Sequence, residues 1–305
     1  MSDRVRRFNH LKKCFQGIVL MDEPLSNHTS FRIGGPADYY VYPRNLKDLV
    51  KLVDFCHDEQ LPRFTIGAGT NLLVSDEGFR GMVIDLSRGF HEIQHRGLIV
   101  EAGAGIRLKD VIRYCTERGM SGLENLAGIP GRLGGCLRIN AGAWGCEIHD
   151  RLQNVQLLDS TGVLEKRDKI EIVSGYRFTN FAEEEILIKA EFILGEDNPV
   201  AIERRKESVL RERKAKQPLS LPSAGSVFKR PQGDFAGRLI QEAGCKGLRI
   251  GDAMVSKKHA NFIVNCRLAS ARDVLNLIGE VRKAVFRQFG VELELEIHLL
   301  GFENT

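Results

Sequence analysis

The sequence predicts an α+β fold with mixed sheets. Apolar residues recur at helical spacing in some stretches and form short alternating or continuous runs in others. These stretches do not follow one another in the regular strand-helix-strand succession that a doubly wound parallel sheet requires. The most glycine-dense turn of the first part of the chain falls where a predicted strand ends. The 305 residues suffice for two or three domains, each with its own core.

Along the chain, a polar leader is followed by a predicted strand at Ala37 to Tyr42. Asn45 to Glu59 then reads as a helix with Leu46, Leu49, Val50 and Val53 on one face. Strands are expected at Phe64 to Gly69 and at Gly81 to Leu86. The pattern recurs at Leu98 to Gly105, which ends in Ala102-Gly103-Ala104-Gly105 and leads into a helix with Leu108, Val111, Ile112 and Cys115 in register. Two lobes of similar construction are therefore expected. After a Gly, Pro and Ala-rich segment from Gly122 to Gly145, strands resume at Asn154 to Asp159, Ile170 to Val173 and Ile186 to Leu194. Pro199 to Gln217 reads as a charged helix that ends against Pro218 and bridges to a last domain. That domain holds a strand near Ser226 to Phe228, helices around Phe235 to Ala243 and Ala271 to Phe289, a strand at Asn261 to Cys266 and a final strand at Val291 to Leu300.

Composition narrows the function. With 44 basic against 40 acidic residues and a net charge of +4, the chain has no polyelectrolyte character, which argues against nucleic acid and leaves room for an anionic small molecule. Arg204 to Lys216 is basic, but Glu203, Glu207 and Glu212 are interleaved at helical spacing, as on a solvated, salt-bridged face. Seven scattered cysteines, odd in number, read as reduced cytosolic thiols. No segment has the apolar length of a signal peptide or a membrane span, so a cytoplasmic protein is expected. The eight histidines lack ligand spacing with Cys or carboxylates, and no metal site is expected.

The 31 glycines are more than an average chain carries, which asks for backbone to approach something closely. Two clusters stand out. In Ile66-Gly67-Ala68-Gly69-Thr70-Asn71-Leu72, glycines at a strand end let main-chain N–H groups face a phosphate, with the Thr hydroxyl and Asn amide as further donors; the same residues would also make a tight turn. The third glycine and following helix of the dinucleotide fingerprint are missing. In Gly128-Ile129-Pro130-Gly131-Arg132-Leu133-Gly134-Gly135, ending at Asn140-Ala141-Gly142, backbone could lie against a flat ring system or a pyrophosphate, or the glycines could be purely structural.

These two clusters resemble the FAD-binding domain of the vanillyl-alcohol-oxidase-like (PCMH-type) flavoproteins. Three further segments are similar to signatures of one family, the UDP-N-acetylenolpyruvoylglucosamine reductases (MurB). They are Asn27-His28-Thr29-Ser30-Phe31-Arg32-Ile33-Gly34-Gly35, Ser223-Ala224-Gly225-Ser226-Val227-Phe228-Lys229, and Gly247-Leu248-Arg249-Ile250-Gly251 leading to Lys258-His259-Ala260-Asn261-Phe262-Ile263-Val264-Asn265. The resemblance spans about residues 20 to 302, with the five motifs in family order. The short chain between Arg177 and Ser226 is similar to the smaller class that lacks an inserted substrate loop.

The resemblance implies an N-terminal leader over about residues 1–32, a two-lobed FAD-binding domain over about 33–198 with lobes near 33–90 and 91–198, and a C-terminal α+β substrate-binding domain over about 199–305. It implies non-covalent FAD, with NADPH as reductant and UDP-N-acetylglucosamine enolpyruvate as substrate. Hydride would pass from NADPH to flavin N5 and then to C3 of the enolpyruvyl ether, with protonation at C2. Cofactor contacts would come from Gly34, Gly35, Gly67, Ala68, Gly69, Thr70, Asn71 and Leu72, and from Gly128, Ile129, Pro130, Gly131, Gly134, Gly135, Asn140, Ala141 and Gly142. Tyr176, Lys229, Arg230, His259 and Asn261 would meet substrate.

Three residues match the family's catalytic positions: Ser226 as proton donor to C2, Arg177 as partner of the substrate carboxylate, and Glu296 beside that carboxylate as a hydrogen-bond donor. Physical chemistry supports the roles. Hydride addition to an alkene conjugated with a carboxylate builds negative charge towards that carboxylate, where fixed donors are needed, and the fork of an Arg suits it. Alternation along the last strand puts Glu292, Glu294 and Glu296 on one face. The sequence departs from the family pattern at Arg230, where Asn is usual, at Thr179, where Ser is common, at Arg132 and Arg138, and at His298, where Arg is frequent. An FAD oxidase on the same domain is the competing enzyme reading; such oxidases often tether flavin through His or Cys in the first loop, which here has neither.

Overall fold

The computed structural model describes residues 3–302. Two compact units interleave along the chain. The first draws on Met1–Asp22, Asp38–Ala68 and Gly81–Glu212, the second on Glu23–Ala37, Gly69–Arg80 and Arg213–Thr305. Where the linear reading runs from residue 33 to 198 as one domain, the two short segments 23–37 and 69–80 fold with the C-terminal part of the chain.

The first unit contains the two expected lobes. One is a four-stranded sheet in the order Ile18–Pro24, Pro36–Tyr42, Phe79–Asp85 and Arg63–Ile66. Its last pair is parallel, with Arg63 opposite Met82 and Ile66 opposite Asp85. The other is a five-stranded antiparallel sheet in the order Leu164–Asp168, Leu152–Leu158, Ile186–Ile193, Ile99–Gly103 and Ile93–Arg96. Helix Leu46–Asp58 starts where the Asn45 side chain accepts from Asp48 N, and it buries Leu49, Leu52, Val53 and Cys56. Helix Leu108–Thr116 buries Leu108, Val111, Ile112 and Cys115 in the same core. Each such side chain taken from water contributes about 1.5–3 kcal/mol.

Two sequence expectations need correction here. The polar leader contains a helix, Asp3–Cys14, and a strand, Ile18–Pro24. Five basic residues between Arg4 and Lys13 mask the apolar period of Phe8, Leu11 and Phe15, which pack into the first unit's core. Ile170 to Val173 is no strand. Lys169–Glu171 is a 3₁₀ turn closed by Asp168 N donating to Glu171 Oε2 at 2.8 Å, and Ile170 is 93% exposed. A local capping box outweighs the β preference of two isoleucines and a valine there.

In the second unit, Phe31, Ile33 and Leu73 join Val227, Phe228 and the apolar faces of helices Ala236–Glu242 and Ala271–Phe289 in one core. An antiparallel sheet runs Arg249–Ile250, Ala253–Val255, Ile263–Asn265, and Leu72–Val74 pairs in parallel with His298–Leu300. The strands foreseen at 226–228 and 291–300 are realised only in part. Outside His298–Leu300 they make isolated bridges, Ser226 with Phe262 and Phe228 with Leu295. The Asn261 side chain explains the break: its Oδ1 accepts from Phe228 N at 3.0 Å and its Nδ2 donates to Phe228 O at 2.8 Å, where a neighbouring strand's main chain would otherwise bond.

Helix Ala271–Phe289 is doubly secured at its start. Ser270 accepts from Asp273 N while Asp273 accepts from Ser270 N, and the Asp76 carboxylate accepts from Ala271 N at 2.8 Å and Arg272 N at 3.1 Å. Ser270→Ala is expected to lower unfolding free energy by about 1 kcal/mol, and Asp76→Ala, which strips two donors at once, by more. Urea denaturation of the two variants measures the order, and the reverse order would remove Asp76 from the cap.

Candidate active site

In the first unit, strand Arg63–Ile66 delivers Gly67 to a cleft opposite the second glycine cluster: a Cβ on Gly67 would lie 3.9 Å from both Arg132 Cβ and Gly135 Cα. Ala104, Gly105, Gly134 and Arg138 also line this cleft. Gly134 and Gly135 differ in kind. Gly134 packs on the protein, with its N donating to Ala104 O at 2.9 Å and a Cβ there meeting Ala104 Cβ at 3.0 Å. At Gly135 a Cβ would meet nothing within 4 Å. Arg132 Nη1 donates to Gly105 O at 2.6 Å, while its Nε is buried with no hydrogen-bond partner. An adjoining cavity of about 410 Å³ shares Gly105 and Arg132 with the cleft and adds His91, Arg107, Tyr114 and Arg118. The glycine edges and the unpaired Arg132 Nε fit an anionic dinucleotide laid along the main chain.

Downstream of the cleft the backbone turns twice through left-handed conformations. Trp144 at φ +51° and Gly145 at φ +73° form the turn between Gly142–Ala143 and Cys146–Glu147. The hairpin of Ser174–Gly175 with Phe178–Thr179 carries Tyr176 and Arg177 at its tip, with Arg177 at φ +55°. Arg177 Nη2 donates to Gly142 O at 3.2 Å, and its guanidinium carbon stands 5.1 Å from the centre of the exposed Tyr176 ring.

Asn140 has no exposed surface. Its Nδ2 donates to Glu147 Oε2 at 2.5 Å and Gly175 O at 3.1 Å, and its Oδ1 accepts from His149 N at 3.3 Å. The side chain is thus spent on protein partners. His149 is buried beside it, with Nε2 hydrogen-bonded to Leu137 O at 3.0 Å and the Phe181 ring edge-on. Burial, and secondarily the Lys169 charge, push its pKa down to about 4.

In the second unit, Gly69 to Leu72 runs against the C-terminal segment. Ser30 N donates to Gly69 O at 3.1 Å, Asn71 Nδ2 donates to Glu296 O at 2.9 Å, and His298 N donates to Asn71 O at 2.9 Å. Glu296 N in turn donates to Val227 O at 2.8 Å, next to Ser226. Gly225, at φ +78°, has its Cβ position 3.9 Å from Thr70 O. Thr70-Asn71, Gly225-Ser226 and Glu296 are thereby gathered in one place, and Ser226 and Glu296 are both half-buried. Lys229 Nζ pairs with Glu294 at 3.4 Å, and Arg230 stacks over Phe235 at 4.3 Å. Asn261 is buried in the Phe228 contacts described above. The His259 ring is edge-on to Phe262, and burial first, then Lys246, lowers its pKa. The missing side chains of Gly34 and Gly35 are accounted for by protein neighbours: Val74 and Leu25 at Gly34, Asp76 O and Gly78 N at Gly35.

Residues 37–167 match the family described as FAD binding domain, and residues 217–300 match that described as UDP-N-acetylenolpyruvoylglucosamine reductase, C-terminal domain. The UDP-N-acetylenolpyruvoylglucosamine reductase of Lachnoclostridium phytofermentans is 43% identical over 288 residues, 93% of each chain, and that of Syntrophus aciditrophicus is 42% identical over 296 residues, 95% of each. The chain belongs to the UDP-N-acetylenolpyruvoylglucosamine reductase family. The crystal structure of the Thermus caldophilus reductase (MurB) agrees with a TM-score of 0.81 at 35% identity, covering 93% of this chain and 99% of that one.

The oxidoreductase therefore has the α+β fold and FAD-binding domain that its motifs implied. Sequence reasoning passed over Ala104, Gly105 and Arg107 as cleft or cavity residues. The signal was present, because Gly103-Ala104-Gly105 repeats the Gly67-Ala68-Gly69 pattern at a strand end. No helix among the described residues is long and apolar enough to cross a membrane.

His149 gives the reductase a pH signature. Its native pKa lies below the unfolded value, so the unfolded chain takes up the proton first as pH falls. The stability from keeping this ring neutral is fully present above about pH 6.5 and is lost towards pH 4, on the order of 3 kcal/mol in all. In urea titrations across that range, His149→Gln should flatten the pH slope; an unchanged slope would clear His149 of responsibility.

Proposed function

We propose that the chain reduces the enolpyruvyl ether of UDP-N-acetylglucosamine to UDP-N-acetylmuramate, for peptidoglycan synthesis, with NADPH as the electron source and in the cytoplasm. The near full-length identity with reductases of that name supports the reaction. The seven free cysteines are in keeping with a reducing compartment. The observation that carries the chemistry is the gathering of Gly225-Ser226, Thr70-Asn71 and Glu296 by main-chain contacts within the second unit.

FAD, when bound, would supply the hydride-carrying chemistry that links NADPH to C3 of the alkene. Gly67, Gly105, Arg132, Gly134 and Gly135 would hold it, with Gly69, Thr70 and Asn71 of the first motif and the main chain of Gly128 to Gly131, Ala141 and Gly142; Asn140, expected among these contacts, has no exposed surface and is left out of them. Arg177 pairs with the substrate carboxylate and offsets the negative charge that grows there. Glu296 assists as a hydrogen-bond donor to the same group. Ser226 gives its hydroxyl proton to C2; a serine is a weak acid, so the role depends on a strongly basic enol carbon and a fixed hydroxyl. Gly225 in the left-handed conformation and the Ser226 bridge to Phe262 fix that hydroxyl's starting point. Tyr176, Lys229, Arg230, His259 and Asn261 remain candidates for substrate contact, with Asn261 reaching it through the backbone it braces.

Purified enzyme should be yellow, bleach on anaerobic addition of NADPH, and regain its colour with UDP-N-acetylglucosamine enolpyruvate. Ser226→Ala is expected to leave bleaching intact and to slow the recovery of colour by ~10²–10⁴-fold. Stopped-flow absorbance resolves both halves, and equal damage to the two would take Ser226 out of the acid's role.

A further inference from the structure

Three hydrogen bonds join two stretches of the first unit that are more than thirty residues apart in sequence. Thr179 Oγ1 donates to Arg138 O at 2.6 Å, Asn140 Nδ2 to Gly175 O at 3.1 Å, and Arg177 Nη2 to Gly142 O at 3.2 Å. One stretch is the end of helix Leu133–Arg138 and the turn after it; the other is the hairpin whose tip is Tyr176-Arg177. The first two bonds grip the hairpin on either side of its tip, at Gly175 and at Thr179.

The grip matters because Arg177 is held at φ +55°, a left-handed conformation that costs a side-chain-bearing residue roughly 1–2 kcal/mol. A two-residue tip in that conformation would relax if its strands were free to splay. Ser174–Gly175 and Phe178–Thr179 are only two residues each, too short to hold the tip unaided. Asn140 suits the task. It lies at φ +44°, which asparagine tolerates better than most residues. Both Nδ2 hydrogens are used, on Glu147 and Gly175, and Oδ1 accepts from His149 N, so the amide cannot turn without breaking a bond in a buried site.

We propose that Asn140 and Thr179 are positioning residues for that reaction: they clamp the hairpin to the end of the glycine-rich segment and so set the direction of the Arg177 guanidinium. The inference deepens the reading of Arg177 as partner of the substrate carboxylate and rests on it. It gives the Asn140 side chain a duty towards substrate rather than towards flavin.

The test uses the full-length, FAD-loaded enzyme. Asn140→Gly keeps a backbone at ease in the left-handed region while deleting the amide; Thr179→Val deletes the hydroxyl and Thr179→Ser restores it. Flavin content, NADPH bleaching rate, and kcat and KM for the enolpyruvyl substrate are measured for each, alone and combined with Arg177→Ala. Asn140→Gly and Thr179→Val should retain flavin and bleach at the wild-type rate, while kcat/KM falls about 10- to 100-fold, mainly through KM. Thr179→Ser should recover to within about threefold. On an Arg177→Ala background, either change should have little further effect, because no guanidinium is left to aim.

Loss of flavin or slowed bleaching in Asn140→Gly would overturn the proposal for Asn140, and effects that multiply with an impaired Arg177→Ala would overturn the clamp. If Arg177→Ala itself behaves as wild type, the carboxylate reading has failed instead. Should Asn140→Gly not fold, the Thr179 series applies the same criteria.

Discussion

Main chain pressed on main chain is the constraint from which both units take their form. A Cβ at Gly35 would fall 2.1 Å from Asp76 O, and one at Gly78 would fall 1.9 Å from Pro36 O. In the first unit a Cβ at Gly105 would fall 2.2 Å from Leu86 O. No side chain survives at such distances, so the segments lie as close as two backbones can. The segments so pressed are the ones that flank the candidate site residues. Gly78 follows the strand that Asn71 leads into, and Gly105 borders the cleft opposite Gly67. Residues that must be placed within a few tenths of an ångström are thus carried on stretches with little freedom to shift.

The same packing changes what a glycine excess means. Read from composition, 31 glycines suggest backbone laid against a cofactor. Many of them instead permit the protein to approach itself, and adjacent glycines can divide the two tasks, Gly134 against Ala104 and Gly135 with open space where a side chain would stand. A glycine motif identifies the segment where a ligand can come close. Which glycine faces the ligand is decided by the packing behind it, and that information lies in residues far away in the chain.

The lobes, the principal helices and the two glycine clusters were legible because each rests on local periodicity or on residues adjacent in sequence. Helix Ala271–Phe289 is the clearest case, since its capping box, apolar period and terminal Gly290 all speak for the same boundaries. What escaped depends on distant partners. Phe8, Leu11 and Phe15 form an apolar face only in a helix whose surface is otherwise basic, and Asn261 interrupts a strand by standing in for its neighbour's backbone. The proposed catalytic positions came from family likeness alone, because no spacing rule links Arg177, Ser226 and Glu296. The role proposed for Asn140 was hidden for a related reason: an asparagine within a glycine-rich segment reads as one more cofactor donor until its amide is seen to be fully used inside the protein.

The last acidic run shows how one alternating pattern yields unlike residues. Glu292, Glu294 and Glu296 alternate with Leu293, Leu295 and Ile297, and the apolar set turns to the core as alternation requires. Repulsion along such a face is relieved by different means at each position. Glu292 and Glu294 are exposed, where water screens them, and Glu294 also meets Lys229. Glu296 is drawn in because its own N–H is taken by Val227 O and its carbonyl by the Asn71 amide, which leaves the side chain half-buried beside the serine motif. Its distinction is therefore made by main-chain bonds to two other segments. A carboxyl placed that way is taken from the solvated face by the backbone that carries it, before any ligand arrives.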